Sequence, residues 1–164
     1  MWGTLFSAAT LSAAALTTGL AAPAQAATIN QCTGQHLTGV IRDVEPGAGQ
    51  RYATLRVRNA STTACLLNGY GTLQLTNAAG RPNPTRTTRI DPGRVRLRLN
   101  PGDVADKKLH WTVIPGPGEP DQCQPPSTAL KATPPGSHTA VTVPFTFGSI
   151  CQGGWIEHSA FHTP

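Results

Sequence analysis

Charge, aromatic rings and methionine are all scarce in this chain. Of its 164 residues, 13% are Asp, Glu, Lys or Arg, 5% are Phe, Trp or Tyr, and one is Met. With Met1 the only methionine, a methionine-rich copper(I) site is excluded. Helical periodicity is almost absent, as is any internal repeat or any linker long enough to divide the chain. Catalytic signatures are missing too. No Gly-x-Ser-x-Gly nucleophile elbow occurs; Phe147-Gly148-Ser149-Ile150-Cys151 lacks the second glycine. There is no His-Glu-x-x-His zinc-protease motif, no phosphate-cradling glycine loop and no Cys-x-x-Cys. These absences leave compartment and architecture readable but assign no reaction and no cofactor. A hydrolase would have to assemble its site from residues distant in sequence.

The first 26 residues carry no charged side chain. Leu5, Phe6, Leu11, Leu16 and Leu20 stand in an Ala/Thr/Ser-rich run ending in Ala24-Gln25-Ala26, the small-x-small pattern that signal peptidase cuts. A cleaved secretion signal over residues 1–26 is therefore expected, with one secreted domain over residues 27–164. Thr, Ser and Gly dilute the run too much for a spanning helix of about 20 apolar residues, so no membrane span is expected after cleavage. The formal net charge is +5. Outside the cell, that balance points to anionic partners, such as a wall polymer or an acidic extracellular protein, and not to nucleic acid.

What the chain does have is alternation at period two, bounded by Gly and Pro, the pattern of strands and turns. In Arg51–Arg58, Ala53, Leu55 and Val57 fall on one face, and Thr54, Arg56 and Arg58 on the other. In Arg94–Leu99, Val95, Leu97 and Leu99 would face a core and three arginines would face water. Leu73 and Leu75, then Leu109, Trp111 and Val113, mark two further strands. His36–Arg42 predicts a first strand, and Trp155-Ile156 opens the last. Val141, Val143, Phe145 and Phe147 predict a late strand that Pro144 confines to an edge or a bend. Glu45–Gly49, Asp91-Pro92-Gly93 and Asn100–Asp103 pair a fixed φ with a residue tolerant of positive φ, the chemistry of tight turns. The fold class is all-β, two antiparallel sheets packed face to face.

Cys32, Cys65, Cys123 and Cys151 form an even set in a chain that reads as exported, so two disulfides are expected and no metal site. Four cysteines allow three pairings, and spacing alone does not choose among them. The sequential pairing, Cys32–Cys65 with Cys123–Cys151, closes two loops of moderate size, each worth about 2–4 kcal/mol.

The order of motifs carries a resemblance. Cys32 is followed by Tyr52–Asn59, then Thr63-Ala64-Cys65-Leu66-Leu67-Asn68-Gly69-Tyr70-Gly71. Leu97–Gly102, Leu109-His110-Trp111, Cys123, Pro134-Pro135-Gly136 and Cys151 complete the series. This arrangement resembles the secreted actinobacterial family known as domain of unknown function 4232, over about residues 32–156. The resemblance implies a disulfide-linked immunoglobulin-like sandwich and lends no activity. One departure is visible, since Gly71 stands where the family often has proline.

Among candidate binding residues the arginines lead. Arg94, Arg96 and Arg98 would rise from one strand face about 6.6 Å apart, Arg56 and Arg58 form a second pair on another strand, and Arg86 and Arg89 lie nearby in sequence. If the two strands share a sheet, they make a cationic patch suited to phosphate or carboxylate. The competing expectation is a solvated or charge-protected sheet face. Asp43/Glu45 and Asp103/Asp106 read as solvated turn acids, and His158 and His162 as frayed terminal residues. His36, His110 and His138 have no sequence partner. Asn59-Ala60-Ser61 matches a glycosylation sequon that is expected to be unused. The loop over residues 115–126, stiff with proline and carrying Cys123, offers an alternative: the bait segment of a protease inhibitor.

Overall fold

The computed structural model describes residues 28–164, with Gly3 alone ahead of them; apart from Gly3, the expected signal over residues 1–26 lies outside the described residues. Among the described residues ten strands form: β1 Leu37–Gly47, β2 Gln50–Asn59, β3 Cys65–Leu66, β4 Thr72–Thr76, β5 Arg86–Ile90, β6 Arg98–Leu99, β7 Val104–Thr112, β8 Ala129–Thr133, β9 Val141–Pro144 and β10 Trp155–Ser159. A five-stranded sheet has the order β1-β2-β7-β10-β5, a three-stranded sheet the order β4-β8-β9, and β3 pairs with β6. Every pairing is antiparallel except β10 with β5, which is parallel.

One core joins the layers. Leu55, Val57, Trp111 and Ile156 from the larger sheet are buried together with Leu73, Leu75, Leu130 and Val143 from the smaller. Each such fully buried side chain stabilises the fold by about 1.5–3 kcal/mol in transfer terms. Trp111 packs on Phe145 and Phe147 at centroid distances of 5.5 and 6.0 Å. The alternation expected of β2 is what the structure shows: Ala53, Leu55 and Val57 are buried and Arg58 is exposed. Both disulfides form in the sequential pairing, Cys32–Cys65 and Cys123–Cys151.

Several expectations are corrected. Val95 is 39% exposed, and only Arg98–Leu99 of the Arg94–Leu99 run is strand. The reason lies in its bonding: Leu97 N–H donates to the Asn68 side chain at 2.8 Å, and Leu97 C=O accepts from Leu67 N–H at 2.9 Å. The run is thus tied to a loop rather than laid along a strand. Two strands carry no strong sequence signal, β5 and β8. The late strand ends at Pro144 and lies at a sheet edge, as the proline requires, while Phe145 continues into the core outside it.

The family's frequent proline has a conformational counterpart here. Gly71 takes φ +64, which proline with φ near −65° does not reach. A Cβ at this position would also stand 2.2 Å from the Thr133 carbonyl oxygen.

Candidate functional site

The two arginine groups do not share a sheet. Arg56 and Arg58 lie on β2 of the five-stranded sheet, Arg98 on β6 of the two-stranded pair, and Arg94 and Arg96 precede β6 outside any strand. Arg56 is engaged already. Its Nε and Nη2 donate to the two carboxylate oxygens of Asp106 at 2.7 and 2.6 Å. That doubly bonded carboxylate raises the Arg56 pKa. Asp106 is buried in β7, not a solvated turn acid, because it sits opposite Arg56 in the β2–β7 register. Asp103 does cap its turn, accepting from Asn100 N–H at 2.8 Å. Arg58 reaches the Gly102 carbonyl at 3.3 Å and is otherwise exposed.

What the fold gathers instead is Arg94 with Arg89, a residue of the unexpected strand β5. Both line a cleft of about 270 Å³ together with residues of the Asn68–Thr72 and Thr133–Ser137 segments. Arg94 passes beside Gly69, and the Arg89 guanidinium stands 4.9 Å above the Tyr70 ring. Among the described residues neither guanidinium makes an ion pair. Arg96 and Arg98 are exposed and equally unpaired there.

Beneath this cleft is a buried cation that the sequence did not announce. Lys107, on the core face of β7, is 0% exposed. Its Nζ donates to the backbone carbonyls of Tyr70 at 2.6 Å and Ser159 at 2.5 Å, and contacts His158 Nδ1 at 3.0 Å. It stands 4.4 Å from the Phe161 ring centroid. Burial, then repulsion from Arg89, lowers its pKa to about 7. Burial and the charge of Lys107 likewise press His158 down to about 4. His158 is 1% exposed in β10, so the expected frayed histidine is a core residue. His162 is also held, its backbone bridging to Asp106.

The solvent face of the five-stranded sheet carries a row across strands, Glu45–Tyr52–His110–Glu157. Tyr52 stacks on His110 at 4.5 Å. His110 Nδ1 meets Glu157 Oε2 at 2.6 Å, and its Nε2 meets Gln50 Oε1 at 2.9 Å. Glu45, Tyr52, His110 and Glu157, with Asp43 and Asp91, border a second cleft of about 510 Å³. Acids and a histidine therefore do converge, as a dispersed hydrolase would need. Both ring nitrogens of His110 are in hydrogen bonds to side chains of its own sheet.

The loop over residues 115–126 is braced twice, by Cys123–Cys151 and by Glu119. The Glu119 carboxylate accepts from Gly116, Gln152 and Gly153 N–H groups at 2.9, 2.6 and 2.7 Å. Gln152 and Gly153 both have positive φ, which turns successive N–H groups toward one anion. Those bonds, led by the one from Gly116, lower the Glu119 pKa. Asn59, the sequon residue, is 1% exposed, with its amide bonded to the Thr63 and Leu99 carbonyls, so it offers no accessible nitrogen to a glycan.

Among the described residues no helix is long and apolar enough to cross a membrane. No curated protein and no solved structure matches the chain. A family model does match, over residues 32–162, which takes in both disulfides, all of β1–β10 and the arginine cleft. The chain belongs to the family described as Domain of unknown function (DUF4232).

Proposed function

We propose that the domain is a non-catalytic binding module, exported and held in shape by its disulfides, that captures an anionic partner at the cleft between Arg89 and Arg94. The observation carrying this reading is that two guanidinium groups line one concavity and neither is neutralised by a carboxylate among the described residues. Guanidinium groups suit bidentate capture of carboxylate or phosphate. Arg96, Arg98 and Arg58 add exposed positive charge outside the cleft, while Arg56 drops out because Asp106 neutralises it. Two disulfides fit an oxidising compartment at or beyond the cell envelope.

The test is retention on immobilised polyphosphate. Arg89→Gln/Arg94→Gln should elute at distinctly lower salt than wild type. Arg81→Gln/Lys131→Gln, which removes the same charge at exposed positions away from the cleft, should elute close to wild type. Identical elution of the two double variants would remove the cleft from consideration. A second reading rests on the doubly braced loop. With Pro117 and Gly118 exposed in the turn that Gly116 N–H closes onto the Glu119 carboxylate, it has the rigidity of a protease bait segment. Inhibition of a secreted serine protease, abolished by cutting that loop, is the outcome that reading requires.

A further inference from the structure

β5 is paired with one strand only, β10; on its other edge no neighbouring backbone bonds to it among the described residues, and the Ile90 carbonyl alone accepts a side-chain bond, from the Tyr70 hydroxyl at 3.5 Å. Two other outer edges, β4 and β1, are managed differently. β4 is covered by the chain itself: Asn83 N–H donates to Leu75 C=O at 2.9 Å, and Leu75 N–H to Thr85 Oγ1 at 3.0 Å. β1 is bulged at Asp43 (φ +52), carries Pro46, and has the β9 side chains Val141 and Val143 against Gly39. β5 has no proline and no positive φ, and its register with β10 is unbroken. Arg86, Thr87, Thr88 and Arg89 are all exposed.

Two arginines on such an edge repel neutral or basic strands and attract acidic ones. They are three residues apart, so they point to opposite faces of the sheet. Arg89 faces the cleft it shares with Arg94. Arg86 lies on the other face, with one Nη2 donor committed to the Gln152 carbonyl at 2.9 Å. A polysaccharide or polyphosphate satisfies the charges but not the row of N–H and C=O groups; an extended polypeptide satisfies both.

We propose that the partner is an acidic polypeptide segment that adds to the free edge of β5 as an extra strand, with carboxylates three residues apart, one for Arg86 and one for Arg89 and Arg94. The proposal rests on the anion-cleft reading and narrows it to a peptide ligand. The spacing follows from strand geometry: residues opposite each other share a face, so acids meant for opposite faces stand an odd number apart.

The probe is the peptide acetyl-Thr-Val-Glu-Thr-Val-Glu-Thr-amide, titrated by fluorescence anisotropy into the full domain with disulfides intact, followed by amide hydrogen exchange. Binding should slow exchange within residues 86–90. An analogue N-methylated at alternate amides keeps its charges but loses strand pairing, and should bind about tenfold or more weakly, the equivalent of one or two hydrogen bonds. An isomer with its glutamates two apart should also bind more weakly. Equal binding of the methylated analogue, or no slowing in β5, overturns strand addition while leaving charge capture standing. Protection of β5 by polyphosphate to the same degree overturns it as well. Peptide binding that is indifferent to Arg89→Gln/Arg94→Gln, with unfolding midpoint unchanged, overturns both the edge and the cleft.

Discussion

Lys107 sets a pH dependence that can be worked from its surroundings. The amine is fully buried with no carboxylate among its partners; it faces two backbone carbonyls, the neutral-leaning His158 ring and the repelling charge of Arg89. A lysine whose pKa falls from 10.5 to about 7 on folding leaves the unfolded chain holding the extra proton between those values. Stability must then rise as pH climbs through 7, at up to ~1.4 kcal/mol per unit. The whole gap corresponds to roughly 5 kcal/mol, and the interval from pH 7 to pH 9 to roughly 2–3 kcal/mol. With a urea slope of about 2 kcal/mol/M for a domain of this size, the midpoint should move up by ~1 M across that interval. Equilibrium urea unfolding at fixed ionic strength measures this. Lys107→Met should flatten the profile, so that its curve approaches wild type toward neutral pH and falls below it toward alkaline pH, where stranded Tyr70 and Ser159 carbonyls are its main deficit. Lys108→Met, one residue along on the exposed side of β7, should keep the wild-type slope. A wild-type midpoint that is flat between pH 7 and pH 9, or a slope that survives in Lys107→Met, refutes the reasoning.

Three other outcomes follow from the geometry. Arg56→Met should destabilise by about 1–3 kcal/mol, since it strands a carboxylate whose side chain is only 10% exposed; thermal melts of Arg56→Met, Asp106→Asn and the double variant should show positive coupling, and strict additivity would contradict the ion pair. Glu119→Gln should quicken proteolysis between Gly116 and Cys123 without moving the global melt much; because the carboxylate pKa is lowered on folding, the wild-type loop should stay protected as pH drops and loosen only when pH falls through that lowered value. Unchanged cleavage rates would mean that the carboxylate is not the staple. Replacing Cys32 and Cys65 together by Ala should cost about 3–4 kcal/mol for a loop of 33 residues' separation, read as a fall in the urea midpoint; a shift under 1 kcal/mol would mean that the bridge adds little to the closed fold.

Strands with one apolar face were legible in the sequence, and strands without one were not. β2 is read directly from Ala53, Leu55 and Val57, because burial imposes its period on composition. β5, with the sequence Arg-Thr-Thr-Arg-Ile, lies at an exposed edge where no face needs to be apolar, so nothing in its composition announced it. The cleft was hidden for that reason: one of its two guanidinium groups, Arg89, hangs on a strand without a sequence signature. Lys107 was hidden differently. Ala105, Leu109 and Trp111 share its face, and extending the Leu109–Trp111 alternation backward would have placed a lysine in the core. A buried lysine contradicts the rule that defines the pattern, which is why such a strand reads as starting later than it does. The arginines of 94–98 show the reverse error. Their alternation was real, but Asn68 and Leu67 supplied the bonds a neighbouring strand would have made.

The position of β10 has a consequence for how the molecule comes into being. Residues Trp155–Ser159 do not flank the larger sheet but fill the slot between β7 and β5. Until they emerge, β5 has no neighbour to bond and Lys107 lacks the Ser159 carbonyl and the His158 ring that receive it. A ribosome or translocon delivering this polypeptide from its N-terminus therefore hands over a three-stranded β1-β2-β7 piece and an unattached β5, and assembly of the sheet waits on the closing segment. Trimming the tail back to Gly154 would leave β1-β2-β7 and a lone β5 with nothing to join them, a far graver injury than clipping the same number of residues from a peripheral strand.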